Sequence, residues 1–88
     1  MKKATLTFSS GEKLELEEGQ FIIPISKIVV NEDQVGTSQC ETYEIWIHSS
    51  AGLIPSITEF LCSCDFFHLI DNENKVYKSS AVVTIEIL

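Results

Sequence analysis

Three cysteines, two histidines and a scatter of carboxylates are the side chains of this chain that could do chemistry. Cys40, Cys62 and Cys64, with either His48 or His68, could supply three thiolates and an imidazole, a donor set that suits tetrahedral zinc. The spacing opposes that use. Zinc knuckles place two cysteines two to four residues apart and repeat the pair. Here one residue, Ser63, separates Cys62 from Cys64, and on a helix that turns the two thiols about 200° apart. A cysteine nucleophile with His48 or His68 and a carboxylate such as Asp65 satisfies the bare requirement for covalent catalysis. No local signature accompanies any of these cysteines, so Cys64, with Cys62 as the second candidate, reads more simply as a small buried hydrophobe and the histidines as structural ones. Asp71-Asn72-Glu73-Asn74 is too short for a calcium loop, which needs about six oxygen ligands over about twelve residues, and reads as a turn. Glycines in phosphate-cradling spacing are absent. The residues therefore predict no catalytic site, no resident cofactor and no metal, and point away from an enzyme.

Composition narrows the partners. The 88 residues carry a formal net charge of -7, and all six basic residues are lysines. Nucleic-acid binders draw affinity from clustered Lys and Arg, and bidentate phosphate recognition uses Arg. Direct binding of nucleic acid is disfavoured, although an acidic surface could imitate DNA toward a basic protein. Nothing approaches the ~18 apolar residues of a membrane span. Met1-Lys2-Lys3 leads into an alternating segment rather than an apolar block, so the start does not read as a secretory signal. With an odd number of cysteines, reduced thiols and a cytoplasmic location are expected. An apolar fraction of 44% predicts a packed core, and the length predicts a single domain over residues 1–88. In general character the chain resembles small bacterial and phage proteins, which supplies no residue role.

The elements that must position these residues follow from periodicity. Lys3–Phe8 and Lys13–Glu17 alternate apolar and polar residues around Ser9-Ser10-Gly11-Glu12, which predicts a hairpin. Phe21–Val30 is strongly β-prone, but Pro24 predicts an edge strand, or a bend or bulge near Pro24–Lys27; the alternation slips phase at Ile28 and Val30. Residues 31–41 read as a long polar loop. Thr42–His48 alternates again, with Tyr43, Ile45 and Ile47 on one face and Glu44, Trp46 and His48 on the other. Ser56-Ile57-Thr58-Glu59 matches a capping box ahead of an apolar stripe at Ile57, Phe60, Leu61 and Cys64, predicting a helix over 56–64. Phe66–Ile70 and Val76–Lys78 flank the 71–74 turn as a second hairpin. Ala81–Leu88 is apolar on both faces, which predicts a central strand.

The expected fold is α+β: a mainly antiparallel sheet of about five to seven strands, two hairpins, and one short helix on one face. The function that fits is a non-enzymatic interaction module that self-associates as a homodimer or binds a partner protein. Candidate interface residues are Trp46, Glu44 and His48 on the outward face, with Phe21 and Ile23 on the supposed edge strand. The acidic loop and the acidic hairpin face (Glu12, Glu15, Glu17, Glu18) would favour a basic partner. The alternatives are a small zinc or redox protein using Cys40, Cys62 and Cys64, or a DNA-mimicking inhibitor.

Overall fold

Apolar alternation and one helical stripe give eight strands and a helix among the described residues, 2–31 and 34–88 of the computed structural model. In chain order they are β1 (Lys3–Phe8), β2 (Lys13–Glu17), β3 (Phe21–Asn31), β4 (Gln34–Gln39), β5 (Tyr43–Glu44), α1 (Ile54–Ser63), β6 (Phe66–Leu69), β7 (Asn72–Lys78) and β8 (Val82–Ile87). A short 3₁₀ turn, Ser79–Ala81, precedes β8. The strands form two antiparallel sheets, one of three in the order β2-β1-β8 and one of five in the order β4-β3-β6-β7 with β5 also on β3. The class is α+β, as expected, with the strands divided between two sheets.

The first hairpin pairs Ala4 with Leu16 and Leu6 with Leu14, so four apolar side chains leave one face together. All four are buried, while Lys3, Lys13 and Glu15 face water and Lys3 pairs with Glu15 at 3.5 Å. Gly11 closes the turn at φ 90°, a conformation that costs a residue with a Cβ more than glycine. Ile22 and Phe67 from the second sheet, and Ile57 and Phe60 from α1, complete the core.

Aromatic rings join the layers. Phe8 of β1 stacks on Tyr77 of β7 at 5.0 Å between centroids, and Tyr77 stacks on Phe67 of β6 at 5.3 Å. Phe67 meets Phe60 of α1 edge-on at 5.1 Å, and Phe60 lies 5.7 Å from Tyr43 of β5. Such pairs add about 0.5–1.5 kcal/mol each beyond their buried area. Lys75 spans the same junction, bonded to Glu12 in the β1–β2 turn with its ammonium 5.4 Å above the Tyr77 ring.

Several expectations are corrected. The Phe21–Val30 segment is not an edge: β3 is flanked by β6 on one side and by β4 and β5 on the other. Pro24 is tolerated for a geometric reason. The Phe21 and Ile25 carbonyls accept from Ile70 and Asp65 on the β6 side, whereas the Pro24 carbonyl accepts from Cys40 on the opposite side. A residue's nitrogen and carbonyl point the same way in an antiparallel ladder. The missing donor of Pro24 therefore faces Cys40, where the β3–β4 ladder ends before β5 begins, and the β3–β6 pairing on the other side is left intact. No bulge forms at Pro24–Lys27; the β3–β4 register shifts instead between Val29 and Asn31. The phase of Ile28 and Val30 lies outside the described side chains.

The expected 31–41 loop is largely β4, a hairpin partner of β3; its Glu32 and Asp33 lie outside the described residues. Polar residues hid this strand because a sheet ladder is made by the backbone. Of the expected Thr42–His48 strand, only Tyr43–Glu44 pairs in the sheet, although the inward and outward alternation persists to His48. In the second hairpin the register passes from Leu69 to Asn72, so Ile70 and Asp71 turn the chain and Asn72–Asn74 belong to β7. Helix α1 begins two residues early, with Pro55 in its first turn, where an amide hydrogen would lack a helical acceptor anyway. Leu53 occupies the cap position, and Ser56 and Glu59 form no capping box. Lastly, β8 is an edge strand, with β1 as its single partner among the described residues.

Phe67 is fully buried and sits where both sheets meet the helix. Phe67→Ala is expected to cost about 3–5 kcal/mol in urea-induced unfolding. A cost below about 1 kcal/mol, the level of an ordinary surface change, would contradict this ring's place at the junction.

Candidate functional site

The cysteines take separate local tasks. Cys64 is buried just past the end of α1; its Sγ donates to the Phe60 carbonyl at 3.0 Å and lies 3.3 Å from the Ser79 hydroxyl. Ser63 Oγ donates to the Glu59 carbonyl at 2.6 Å, and Ser26 Oγ reaches the Ser63 carbonyl at 3.4 Å. These groups satisfy carbonyls that a helix C-terminus leaves free. Burial pushes the Cys64 thiol upward in pKa, which makes it a poor nucleophile. Cys40 and Cys62 are exposed, and Cys40 Sγ lies 3.4 Å from Ser26 Oγ. Among the described residues no three His, Cys, Asp or Glu side chains converge as a metal site requires.

The histidines are structural in their contacts. His48 Nδ1 accepts the Ser50 and Ala51 amides, each at 3.2 Å, and closes the 48–52 turn. His68 is buried, its Nδ1 2.8 Å from the Leu69 carbonyl. Neither has a cysteine among its hydrogen-bond partners in the described residues. Asp65 ties β6 to its surroundings through its backbone: its amide bonds Ile25 and its carbonyl accepts from Ser79.

The predicted interface residues divide. Glu44, Trp46 and His48 are exposed on one face, and Phe21, opposite Glu44 in the β3–β5 register, joins that side. Ile23 is half-buried in the central strand. Trp46 is anchored from behind: its Nε1–H donates to the Tyr43 hydroxyl at 2.8 Å, and its backbone amide donates to Ser56 Oγ at 3.1 Å. Tyr43 also lies 2.9 Å from the Glu59 carboxylate and 3.1 Å from Ser56 Oγ. Ser56 is fully buried, so this hydroxyl replaces water for the segment that carries Trp46. The sequence pattern at Ser56 and Glu59 signalled polar residues with a local task; the partners proved to be Tyr43 and Trp46 rather than the helix's own amides.

The surface that sequence reasoning missed is the free edge of β8. Leu88 donates to the Lys3 carbonyl, and Glu86 and Thr84 lie opposite Thr5 and Thr7 in the same register. Alternation then turns the backbone N–H and C=O groups of Ile85 and Ile87 away from β1. Val83, Ile87 and Leu88 are 60%, 44% and 61% exposed. Beside them a groove of about 350 Å³ runs between β8 and α1, lined by Leu61, Cys62, Thr58, Val82, Val83 and Ile85 among others. Two of the other described edges carry charges that discourage pairing, Lys13, Glu15 and Glu17 on β2 and Glu73, Lys75 and Lys78 on β7, while the β4 edge (Gln34–Gln39) is uncharged and mainly polar. β8 has one charge, Glu86. Its apolar composition on both faces was the available signal.

Burial, reinforced by the neighbouring Glu59 and countered in part by Ser56 and Trp46, raises the Tyr43 pKa above 10.0. The folded protein thus holds this proton more tightly than the unfolded chain. The contribution is complete below the ordinary tyrosine pKa and is lost as pH rises through the folded value. Tyr43→Phe is expected to lower stability by about 1 kcal/mol at neutral pH and to flatten the alkaline loss measured by urea midpoints. Equal alkaline slopes in the two proteins would contradict the assignment.

No helix among the described residues is long and apolar enough to cross a membrane. Compared with known proteins, the chain matches no family model, and no match to it was found among curated proteins or solved structures.

Proposed function

We propose that the protein is a non-enzymatic interaction module that takes up an extended polypeptide strand along the open edge of β8. One observation carries this reading: an uncovered, largely apolar strand edge, regular from Thr84 to Ile87 and bulged at Val83, lies beside an apolar groove. Strand addition uses main-chain hydrogen bonds for affinity and pockets for alternate side chains for selectivity. Here the outward amides and carbonyls of Ile85 and Ile87 supply the ladder. Every second side chain of an added strand would fall toward Leu61, Cys62 and Val82 in the groove. The Trp46 face is a weaker candidate, because the indole nitrogen and the segment behind it are already satisfied within the chain. The acidic charge of the whole chain favours encounter with a basic segment and makes that encounter salt-sensitive.

The test is a selection of short displayed peptides on the immobilised protein. Selected sequences are expected to alternate apolar residues, to shift the amide resonances of Ile85 and Ile87, and to lose binding at least tenfold on Val83→Lys/Ile87→Lys. Binders that ignore this double substitution, or that shift resonances around Trp46 instead, would overturn the β8 assignment.

A further inference from the structure

Glu86 stands at the centre of the regular part of the β8 edge. We propose that it selects the strand that adds there: the occupant is a basic extended segment, in which a lysine or arginine faces Glu86 and the residues on either side are apolar and face the groove. The proposal rests on the strand-addition reading and names the chemistry of the strand.

The ladder sets the frame. β8 pairs with β1 in regular register from Thr84 to Ile87 and is bulged at Val83, so the template for an added strand is the regular stretch. Within it the backbone groups of Ile85 and Ile87 point outward, and each would form a hydrogen-bonded pair with an added antiparallel strand. Glu86 lies between them, at a non-hydrogen-bonded pair, where opposed Cα atoms stand only about 4.5 Å apart. The residue set opposite Glu86 thus meets its carboxylate at the shortest cross-strand spacing that a sheet allows.

The two faces of the sheet divide the roles. Ile85 and Ile87 lie opposite Leu6 and Ala4, both fully buried, so they share the core face. The groove between β8 and α1, lined by Thr58, Leu61, Cys62, Val82 and Ile85 among others, has no charged residue in its lining and suits apolar side chains. Thr84 and Glu86 lie opposite Thr7 and Thr5 and are exposed on the other face. Glu15 stands across Thr5 on that face, and its carboxylate pairs with Lys3 at 3.5 Å. Glu86 has no such cation: the ion pairs among the described residues are Lys3–Glu15 and Lys75–Glu12. It is also the single charge on β8, in a chain of net charge -7. An acidic residue directly opposite it is destabilising, whereas a lysine or arginine is favourable. The net charge of the chain draws the same class of segment to the edge.

The test compares displayed-peptide selections on the wild type, Glu86→Gln and Glu86→Lys proteins, scoring peptides that shift the amide resonances of Ile85 and Ile87. Wild type is expected to enrich lysine or arginine between two apolar residues. By calorimetric titration, Glu86→Gln is expected to weaken such a peptide about two- to fivefold, and Glu86→Lys to weaken it further. Exchanging the basic residue of the peptide for glutamate should restore binding to Glu86→Lys and weaken binding to wild type. Glu73→Gln, the same change of net charge placed on β7, should leave binding unchanged. Glu86 is exposed, so circular dichroism should show an unchanged fold. Peptides that shift Ile85 and Ile87 yet bind all three proteins equally would overturn Glu86 as the selecting residue and leave strand addition standing. Equal weakening by Glu73→Gln would overturn the local pairing in favour of overall charge. A selection in which no peptide shifts Ile85 and Ile87 would overturn strand addition, and this inference with it.

Discussion

Five aromatic rings, Phe8, Tyr77, Phe67, Phe60 and Tyr43, follow one another at 5.0–5.7 Å and pass through both sheets and the helix. The rest of the structure hangs on this chain of rings. The three-stranded sheet meets the five-stranded one through Phe8 and Tyr77, and α1 reaches the five-stranded sheet through Phe60 and Phe67. At its far end Tyr43 turns from packing to hydrogen bonding and fixes the segment carrying Trp46 through its own hydroxyl and that of Ser56. A small domain buries a modest share of its surface, and large rings bury more area per residue than aliphatic side chains, at low entropic cost. Lys75 and Glu12 add a charged clasp over the same junction.

This arrangement decides which edges remain open. The rings draw β7 and the β1–β2 turn together, so the charged residues of β7 and β2 end up at the rims of their sheets. Helix α1 is drawn toward Phe67 rather than across the three-stranded sheet. Its Leu61 and Cys62 therefore stop short of β8 and leave a groove instead of a closed contact. The open edge thus follows from the way the core is joined.

Much of the fold was legible in the residues because burial imposes period on sequence. The first hairpin, the inward and outward alternation of Tyr43–His48, and the α1 stripe all follow from that rule. What escaped depends on the backbone or on distant partners. β4 is polar and is held by its ladder with β3. Pro24 read as an edge marker because the end of the β3–β4 ladder at Cys40, which its nitrogen faces, is a tertiary feature. Ser56 and Glu59 matched a local capping pattern but serve Trp46 and Tyr43 across the fold. The apolar two-faced pattern of β8 was read as a central strand within one chain, where the chain places it at an edge. The one-residue spacing of Cys62 and Cys64 signalled that the two thiols diverge; burial falls to Cys64 alone, and Cys62, also a candidate for the core, is exposed.

Residue-resolved amide hydrogen exchange, with and without a peptide selected on the protein, tests most directly whether the β8 edge takes up an added strand. Thr84 and Glu86 point into the β1 ladder and should exchange slowly in both conditions. Ile85 and Ile87 should exchange quickly in the free protein and slow together when the peptide binds. Exchange at Ile85 and Ile87 that stays fast in the complex would contradict strand pairing there. Exchange that is slow in the free protein would mean that the edge is covered within a single chain.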